Sequence, residues 1–180
     1  GVTNIGNGIC KDFKNLTEVE ISSTVTRIGR RAFENCVSLV SVEIPKSVRS
    51  IDMDAFSGCT NLKTVKFAGT VPSIEPDAFD DCPSLTSDFN MAEGTCGTSL
   101  TWKLNSQGEL TIKGTGAMKD WERYAAPWNN YSSKVKSAVI ENGVTSVGNY
   151  AFYSCGNLVS VKLPESLTRI GEFAFYNCEV

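Results

Sequence analysis

The chain repeats its apolar pattern every 23 residues, and this period constrains the fold more than any other feature. Cysteine recurs at this spacing, first as Cys36, Cys59 and Cys82 and later as Cys155 and Cys178. One unit of this length cannot bury its own apolar side, whereas stacked units turn each position into a continuous ladder of similar side chains. The period therefore predicts a solenoid whose core is shared between successive turns.

The first half of each unit alternates apolar and polar residues in the way that a short strand does. In the unit that begins at Cys36, the apolar positions are Leu39, Val42 and Ile44. Ser41 and Glu43 then face outward, and the proline that follows has no amide hydrogen with which to extend the strand. The same L-x-x-V-x-I spacing recurs in the other complete units. We therefore expect the strands of successive units to form one parallel sheet.

The second half of each unit carries its own set of apolar positions. In the same unit these are Val48, Ile51 and the pair Ala55-Phe56, and the equivalent residues recur 23 positions away. We expect these side chains to be buried against the neighbouring units.

The repeat is interrupted once. After Leu85 the pattern fails, because Asp88 stands where the strand valine belongs, and the register returns only at Ser132. Two alternating apolar runs, residues 100–104 and 110–112, flank a stretch of turn-forming residues, which predicts a β-hairpin. The end of a solenoid exposes an apolar cross-section that a different sequence must cover. We interpret the insert as that cover.

The unit C-x-x-L-x-x-V-x-I-P-x-x-V-x-x-I-G-x-x-A-F-x-x resembles the BspA-like leucine-rich repeats of the Treponema pallidum type, and the stretches from Cys36 to Gly58 and from Cys155 to Asn177 resemble it most. Phe13 and Ser132 depart from it at the cysteine position. The segment from Gly94 to Tyr131 resembles a module that precedes such arrays in gut bacterial proteins. The resemblance implies secreted or surface-attached bacterial proteins that mediate adhesion or binding, with no catalytic residues to carry over.

The predicted fold is thus a right-handed leucine-rich-repeat solenoid with a parallel β-sheet on its concave face and a short helical or irregular convex side. A hairpin-containing cap interrupts it. We predict three segments: a repeat block over residues 1–89 that is the C-terminal part of a first array, an aromatic-rich cap over residues 90–131, and a second repeat block over residues 132–180.

Composition excludes several classes of function. The net charge is −3 and the basic residues are scattered, so the chain lacks the basic stripe that a nucleic-acid partner requires. No apolar run approaches the roughly 20 residues of a membrane-spanning helix, so we expect no membrane insertion of this segment. The chain has no histidine, which removes the commonest general base and metal ligand. We therefore expect no catalytic residues, no metal site and no cofactor.

The seven cysteines allow two interpretations. Neighbouring strands lie about 4.8 Å apart, so that ladder cysteines fall within the Cα separation that a disulfide accepts. Their side chains would however point the same way, and free cysteine is among the most buried residue types. We expect buried thiols and no disulfides, and the redox state of Cys96, which lies outside the ladders, is left open.

Two groups of residues are candidate binding sites. The first is the outward strand positions of the concave face, because a solenoid offers an extended surface there; the alternative is a merely solvated face. These positions are Glu18, Ser41, Thr64, Ser137 and Ser160 in one column and Glu20, Glu43, Lys66 and Lys162 in the next. The second group is Trp102, Trp121 and Trp128, which would either stack on sugar rings or seal the cap.

The predicted function is a non-enzymatic, secreted or cell-surface binding protein whose concave face binds a protein or glycan partner. Two alternatives are kept. In the first, the repeats are a structural spacer in a longer surface protein. In the second, the aromatic insert binds carbohydrate, which requires exposed and coplanar tryptophan rings. The sequence leaves the ligand and the oligomeric state open.

Overall fold

The computed structural model describes residues 1–178 and divides the chain into two compact units, residues 1–89 and residues from Asn90 onward. Both units are built from short β-strands that pair with the equivalent strands of neighbouring turns. Within residues 1–178 the only helix is a 3-10 helix at Asn129–Tyr131. The predicted solenoid is confirmed, whereas the division into three segments remains a prediction.

The strands of the first unit are β1 (Asn4–Ile5), β2 (Arg27–Ile28), β3 (Ser41–Ile44), β4 (Ser50–Ile51), β5 (Thr64–Phe67) and β6 (Ser73–Ile74). β3 and β5 form a parallel pair that we call the long-strand sheet of this unit. Val42 and Ile44 of β3 are buried while Ser41 and Glu43 are exposed, as the alternation predicted.

The second half of each turn forms a parallel sheet of its own, with the strand order β1-β2-β4-β6. Each turn contributes a two-residue strand, and the isoleucines of β2, β4 and β6 are buried, for example Ile28 and Ile51, which lie opposite each other. Parallel pairing of these two-residue strands adds to the otherwise irregular backbone that was predicted for this side of each turn. The physical reason is the strict 23-residue spacing, which sets identical short segments side by side so that their amides and carbonyls pair.

A backbone ladder also joins the Ala-Phe segments of successive turns. The amides of Arg31, Phe33 and Asn35 donate to carbonyls of the next turn over 3.0, 2.8 and 2.8 Å. Arg31 and Asn35 have φ angles of 58° and 59°. A residue in the left-handed conformation therefore lies on each side of the Ala32-Phe33 pair. This region tolerates glycine, asparagine and aspartate best, and Gly58 occupies the position equivalent to Asn35.

Stacked phenylalanine rings fill the core of the first unit. The ring centroids of Phe33 and Phe56 are 5.1 Å apart, and those of Phe56 and Phe79 are 5.2 Å apart. Phe89 closes this core, with its ring edge-on to Phe67 and Phe79. Sequence analysis missed this residue because it follows the point at which the repeat fails.

The strands of the second unit are β7 (Asn90–Thr95), β8 (Leu100–Asn105), β9 (Glu109–Gly114), β10 (Gly116–Ala117), β11 (Ser137–Ile140), β12 (Val144–Val147), β13 (Ser160–Lys162) and β14 (Arg169–Ile170). β8 and β9 form the predicted antiparallel hairpin. β7 adds a third antiparallel strand that sequence analysis missed, because its residues Asn-Met-Ala-Glu-Gly-Thr lack a regular alternation of β-branched residues.

The hairpin is continuous with the repeats. β9 pairs in parallel with β11, so that Leu110 and Ile112 lie opposite Ala138 and Ile140. A five-stranded long-strand sheet results, in the order β13-β11-β9-β8-β7, while β10, β12 and β14 form the short-strand sheet of this unit. The insert therefore supplies the first turn of the second ladder as well as its cover.

Candidate binding surfaces

Four of the predicted site residues lie together on the long-strand sheet of the first unit. Ser41 is opposite Thr64 and Glu43 is opposite Lys66, with Thr64 half-buried and the others exposed. Opposite charges on directly facing positions attract each other weakly in solvent. These four residues form a small polar surface of mixed charge.

Two further predicted residues of this unit, Glu18 and Glu20, lie outside that register. Both are exposed, but residues 17–21 form no strand, although Ile21 is buried as the repeat requires. The structure therefore places them before the sheet rather than in it.

The three remaining residues of this group lie in the second unit. Ser137 is opposite Ser160, and Lys162 is opposite the half-buried Val139. Because the nine predicted residues divide between two units, the structure assigns them to two surfaces, each of which we describe by itself.

Sequence analysis missed the part of the second surface that the insert contributes. Across the five strands Glu93, Lys103, Thr111, Val139 and Lys162 are aligned in one row. The Nζ atom of Lys103 is 3.1 Å from a carboxylate oxygen of Glu93. A signal was available, since Leu110 and Ile112 have the same spacing as the apolar residues of the repeat strands. This row makes the long-strand sheet of the second unit more than twice as wide as its two repeat strands.

The three tryptophans are packed against one another at steep angles. Trp102 and Trp128 are buried and their ring planes meet at 71°, and Trp121 meets Trp128 at the same angle. Trp121 is partly buried against the core of this unit. The carbohydrate hypothesis required exposed and coplanar rings, so this geometry favours the alternative in which the rings seal the cap.

Trp128 has a second role in the cap. In the repeats, the amides of Phe33, Phe56 and Phe152 donate to the Ala carbonyl of the next turn, as Phe152 does to Ala174 over 2.7 Å. The carbonyl of Ala151 instead accepts a hydrogen bond from the indole Nε1 of Trp128, at 2.8 Å. The indole of Trp128 thus replaces a backbone amide as the hydrogen-bond donor at the point where the ladder begins.

The cysteines form a ladder of thiol donors, and all seven are free. The Sγ atom of Cys59 donates to the carbonyl of Phe33 at 3.2 Å, and Cys82 and Cys178 make the same contact with Phe56 and Phe152. Burial raises the pKa of Cys59 and of Cys96 to about 12. These thiols remain protonated and unreactive near neutral pH, because the thiolate is the nucleophile.

The raised thiol pKa values predict that stability falls in alkali. Unfolded thiols lose their protons near their ordinary pKa of 9.0, whereas Cys59 keeps its proton until the pH approaches its raised pKa of about 12. The unfolded state therefore binds fewer protons above pH 9, and each such thiol lowers the free energy of unfolding by up to about 1.4 kcal/mol per pH unit there. The stabilisation is complete below pH 9 and is lost as the pH rises towards 12.

Urea denaturation between pH 8 and pH 11 checks this prediction. The variant Cys59→Ala should show a shallower decline than the parent chain, since one raised pKa is removed. Cys10→Ala is the matched control, because that thiol is only half-buried and its removal should change the slope less. Equal slopes for Cys59→Ala and the parent chain would contradict the assignment.

Within residues 1–178 no group of three acidic or cysteine side chains is arranged to hold a metal ion. No helix in that part of the chain is long and apolar enough to cross a membrane.

Comparisons with known proteins identify the repeat. The BspA type leucine-rich repeat region matches in six copies over residues 1–95 and 129–180. Among solved structures, a leucine-rich repeat protein from Eubacterium ventriosum is 32% identical, with a TM-score of 0.47, and the match covers 49% of this chain and 25% of that protein. The chain thus spans a quarter of that protein's length. A search of curated proteins found no match.

Two other solved structures are similar over 98% of this chain. The leucine-rich repeat protein of T. pallidum is 22% identical, with a TM-score of 0.46 over 70% of its own chain. A leucine-rich cell surface protein from Faecalibacterium prausnitzii is 21% identical, with a TM-score of 0.28 over 69% of its own chain. The repeat-family match covers most of the chain, and we conclude that the chain belongs to the BspA-type leucine-rich repeat family.

Proposed function

We propose that this chain is a non-enzymatic binding segment of a secreted or cell-surface bacterial protein. Its long-strand sheets bind a protein or glycan partner at the cell exterior. The observation that carries the proposal is the row Glu93, Lys103, Thr111, Val139 and Lys162, which crosses five strands of the second unit. A sheet of this width offers one continuous outward face, and solenoids commonly bind through such extended surfaces.

The composition of these surfaces favours binding over a spacer. A spacer needs only solubility, which a uniform coat of serine, threonine and lysine supplies. The first unit instead sets Glu43 against Lys66, and the second mixes both signs of charge with the aliphatic side chain of Val139. Such a mixture provides specific hydrogen-bond and charge partners, and complementary charge gives specificity to an interface.

Binding of the labelled chain to arrays of matrix proteins and glycans tests this proposal. The double variant Glu43→Lys with Lys66→Glu reverses the charges of the first surface and keeps the net charge. Lys103→Glu with Lys162→Glu reverses the two lysines of the second surface. The control is Lys14→Glu, an exposed residue outside the sheets.

We expect saturable binding to at least one class of partner, with a Kd at least tenfold weaker in one double variant, which corresponds to about 1.4 kcal/mol. The control should bind as the parent chain does. Failure to bind on any array would favour the spacer, and equal binding by all variants would place the function away from both long-strand sheets.

A further inference from the structure

Two positions of the turns carry mostly charged side chains in the first unit and aromatic rings in the second. In the first unit Lys11 contacts Glu34 at 2.8 Å and Arg31 contacts Asp54 at 3.2 Å. The positions of Arg31 and Asp54 are equivalent, in the 23-residue register, to those of Tyr150 and Phe173, and the position of Glu34 to that of Tyr153. The fold therefore accepts charged residues where the second unit has rings.

The rings of the second unit form a continuous cluster. Tyr150 stacks on Phe173 with the centroids 5.2 Å apart, and Tyr153 stacks on Tyr176 with the centroids 5.3 Å apart. The ring of Tyr124 stands edge-on to Tyr153 at 5.1 Å. We call these five residues the aromatic ridge.

The ridge is held in a backbone conformation that disfavours it. Tyr124, Tyr150 and Phe173 have φ angles of 63°, 55° and 54°, a region in which a bulky side chain is an outlier. Burial offsets this cost only in part, because Tyr153 is buried and Tyr150 half-buried, whereas the side chain of Tyr124 is 53% exposed. Neither the backbone nor the core accounts for the ring of Tyr124.

Arg123 gives the ridge a charge. Its guanidinium lies 5.0 Å from the ring centroid of Tyr124 and 4.8 Å from that of Tyr153. Among the residues that the structure describes, no carboxylate lies within ion-pair distance of it. The guanidinium also donates hydrogen bonds to the hydroxyl groups of Tyr124 and Tyr153, which hold it in place. Its remaining N–H groups can donate to a carboxylate of a partner.

We propose that the aromatic ridge and Arg123 form a docking surface for a protein partner that presents an acidic side chain beside an apolar one. Stacking covers ring faces in the pairs Tyr150–Phe173 and Tyr153–Tyr176, which suits a protein surface better than a sugar ring. Tyrosine and arginine are the residue types that dominate the binding energy of protein interfaces. This surface is separate from the long-strand sheets, so the inference does not rest on the proposed function.

A titration with two short peptides tests the proposal by NMR. The probes are acetyl-Phe-Glu-Leu-amide and acetyl-Phe-Gln-Leu-amide, which differ only in the charge that Arg123 would bind. We expect the glutamate peptide to shift the resonances of Arg123 Nε–H and of the Tyr124 and Tyr153 rings at millimolar concentration. The glutamine peptide should bind at least fivefold more weakly, and Arg123→Gln should remove that difference.

The variant Tyr124→Asn separates docking from stability. Asparagine is favoured in the left-handed region, so the melting temperature should be unchanged or higher while peptide binding is lost. A melting temperature several degrees lower would show that the ring is structural and would overturn the proposal. Equal shifts with both peptides would overturn it as well. So would shifts of the ridge with cellotetraose in place of either peptide, since the surface would then bind glycan.

Discussion

Replacing Phe56 with alanine should lower the free energy of unfolding by about 3 to 5 kcal/mol, the usual cost of truncating a buried phenylalanine. The ring is fully buried and stacks on Phe33 on one side and on Phe79 on the other. Its removal therefore leaves a cavity lined by two other rings, which neighbouring turns cannot close without shifting the backbone ladder between them. Urea denaturation, followed by circular dichroism, measures the change.

Phe13→Ala is the matched control for this experiment. Phe13 also lies within residues 1–89, but its side chain is 56% exposed. Its truncation should therefore change the free energy of unfolding by less than about 0.5 kcal/mol. If the two variants were destabilised equally, the ladder would not be the main source of stability in the first unit.

Trp128→Phe should destabilise the chain more than Trp102→Phe, by about 1 to 3 kcal/mol. Both rings are buried, and both substitutions remove the same volume. Only Trp128 donates a hydrogen bond, from its indole to the carbonyl of Ala151. The Nε1 atom of Trp102 is buried without a partner. The difference between the two variants therefore measures the cost of leaving a buried carbonyl unsatisfied.

The same denaturation assay gives both values. Equal losses would mean that the indole contributes through its volume alone and that water satisfies Ala151. A larger loss for Trp102→Phe would indicate that the packing of Trp102 around the hairpin contributes more stability than the hydrogen bond of Trp128. Either result would contradict the expected difference between the two variants.

The repeat made the ladder and the strands predictable, because stacking requires every turn to place the same residue type at the same position. Val42, Ile44 and Phe56 lie where the period predicted. The backbone of the second half was not predictable in the same way. A two-residue strand has no alternation to recognise, and only its pairing with an identical segment one turn away defines it.

The candidate surfaces were predictable only in part. The 23-residue register alone predicts that Glu43 lies opposite Lys66. The row through Lys103 does not, because it depends on β9 pairing in parallel with a strand that lies beyond an irregular segment. The aromatic ridge was missed for a different reason. Its residues lie at positions where the residue type varies between repeats, so the 23-residue period does not predict which residues they contact.

The parallel pairing of β9 with β11 has a consequence for the order of folding. The contacts of the β8–β9 hairpin are local in sequence, and local contacts form early because they close short loops. Once formed, β9 presents the edge on which β11 pairs, and β11 then presents the edge for β13. We expect the second unit to grow in one direction along the chain, as the hairpin folds first and each turn serves as the template for the next.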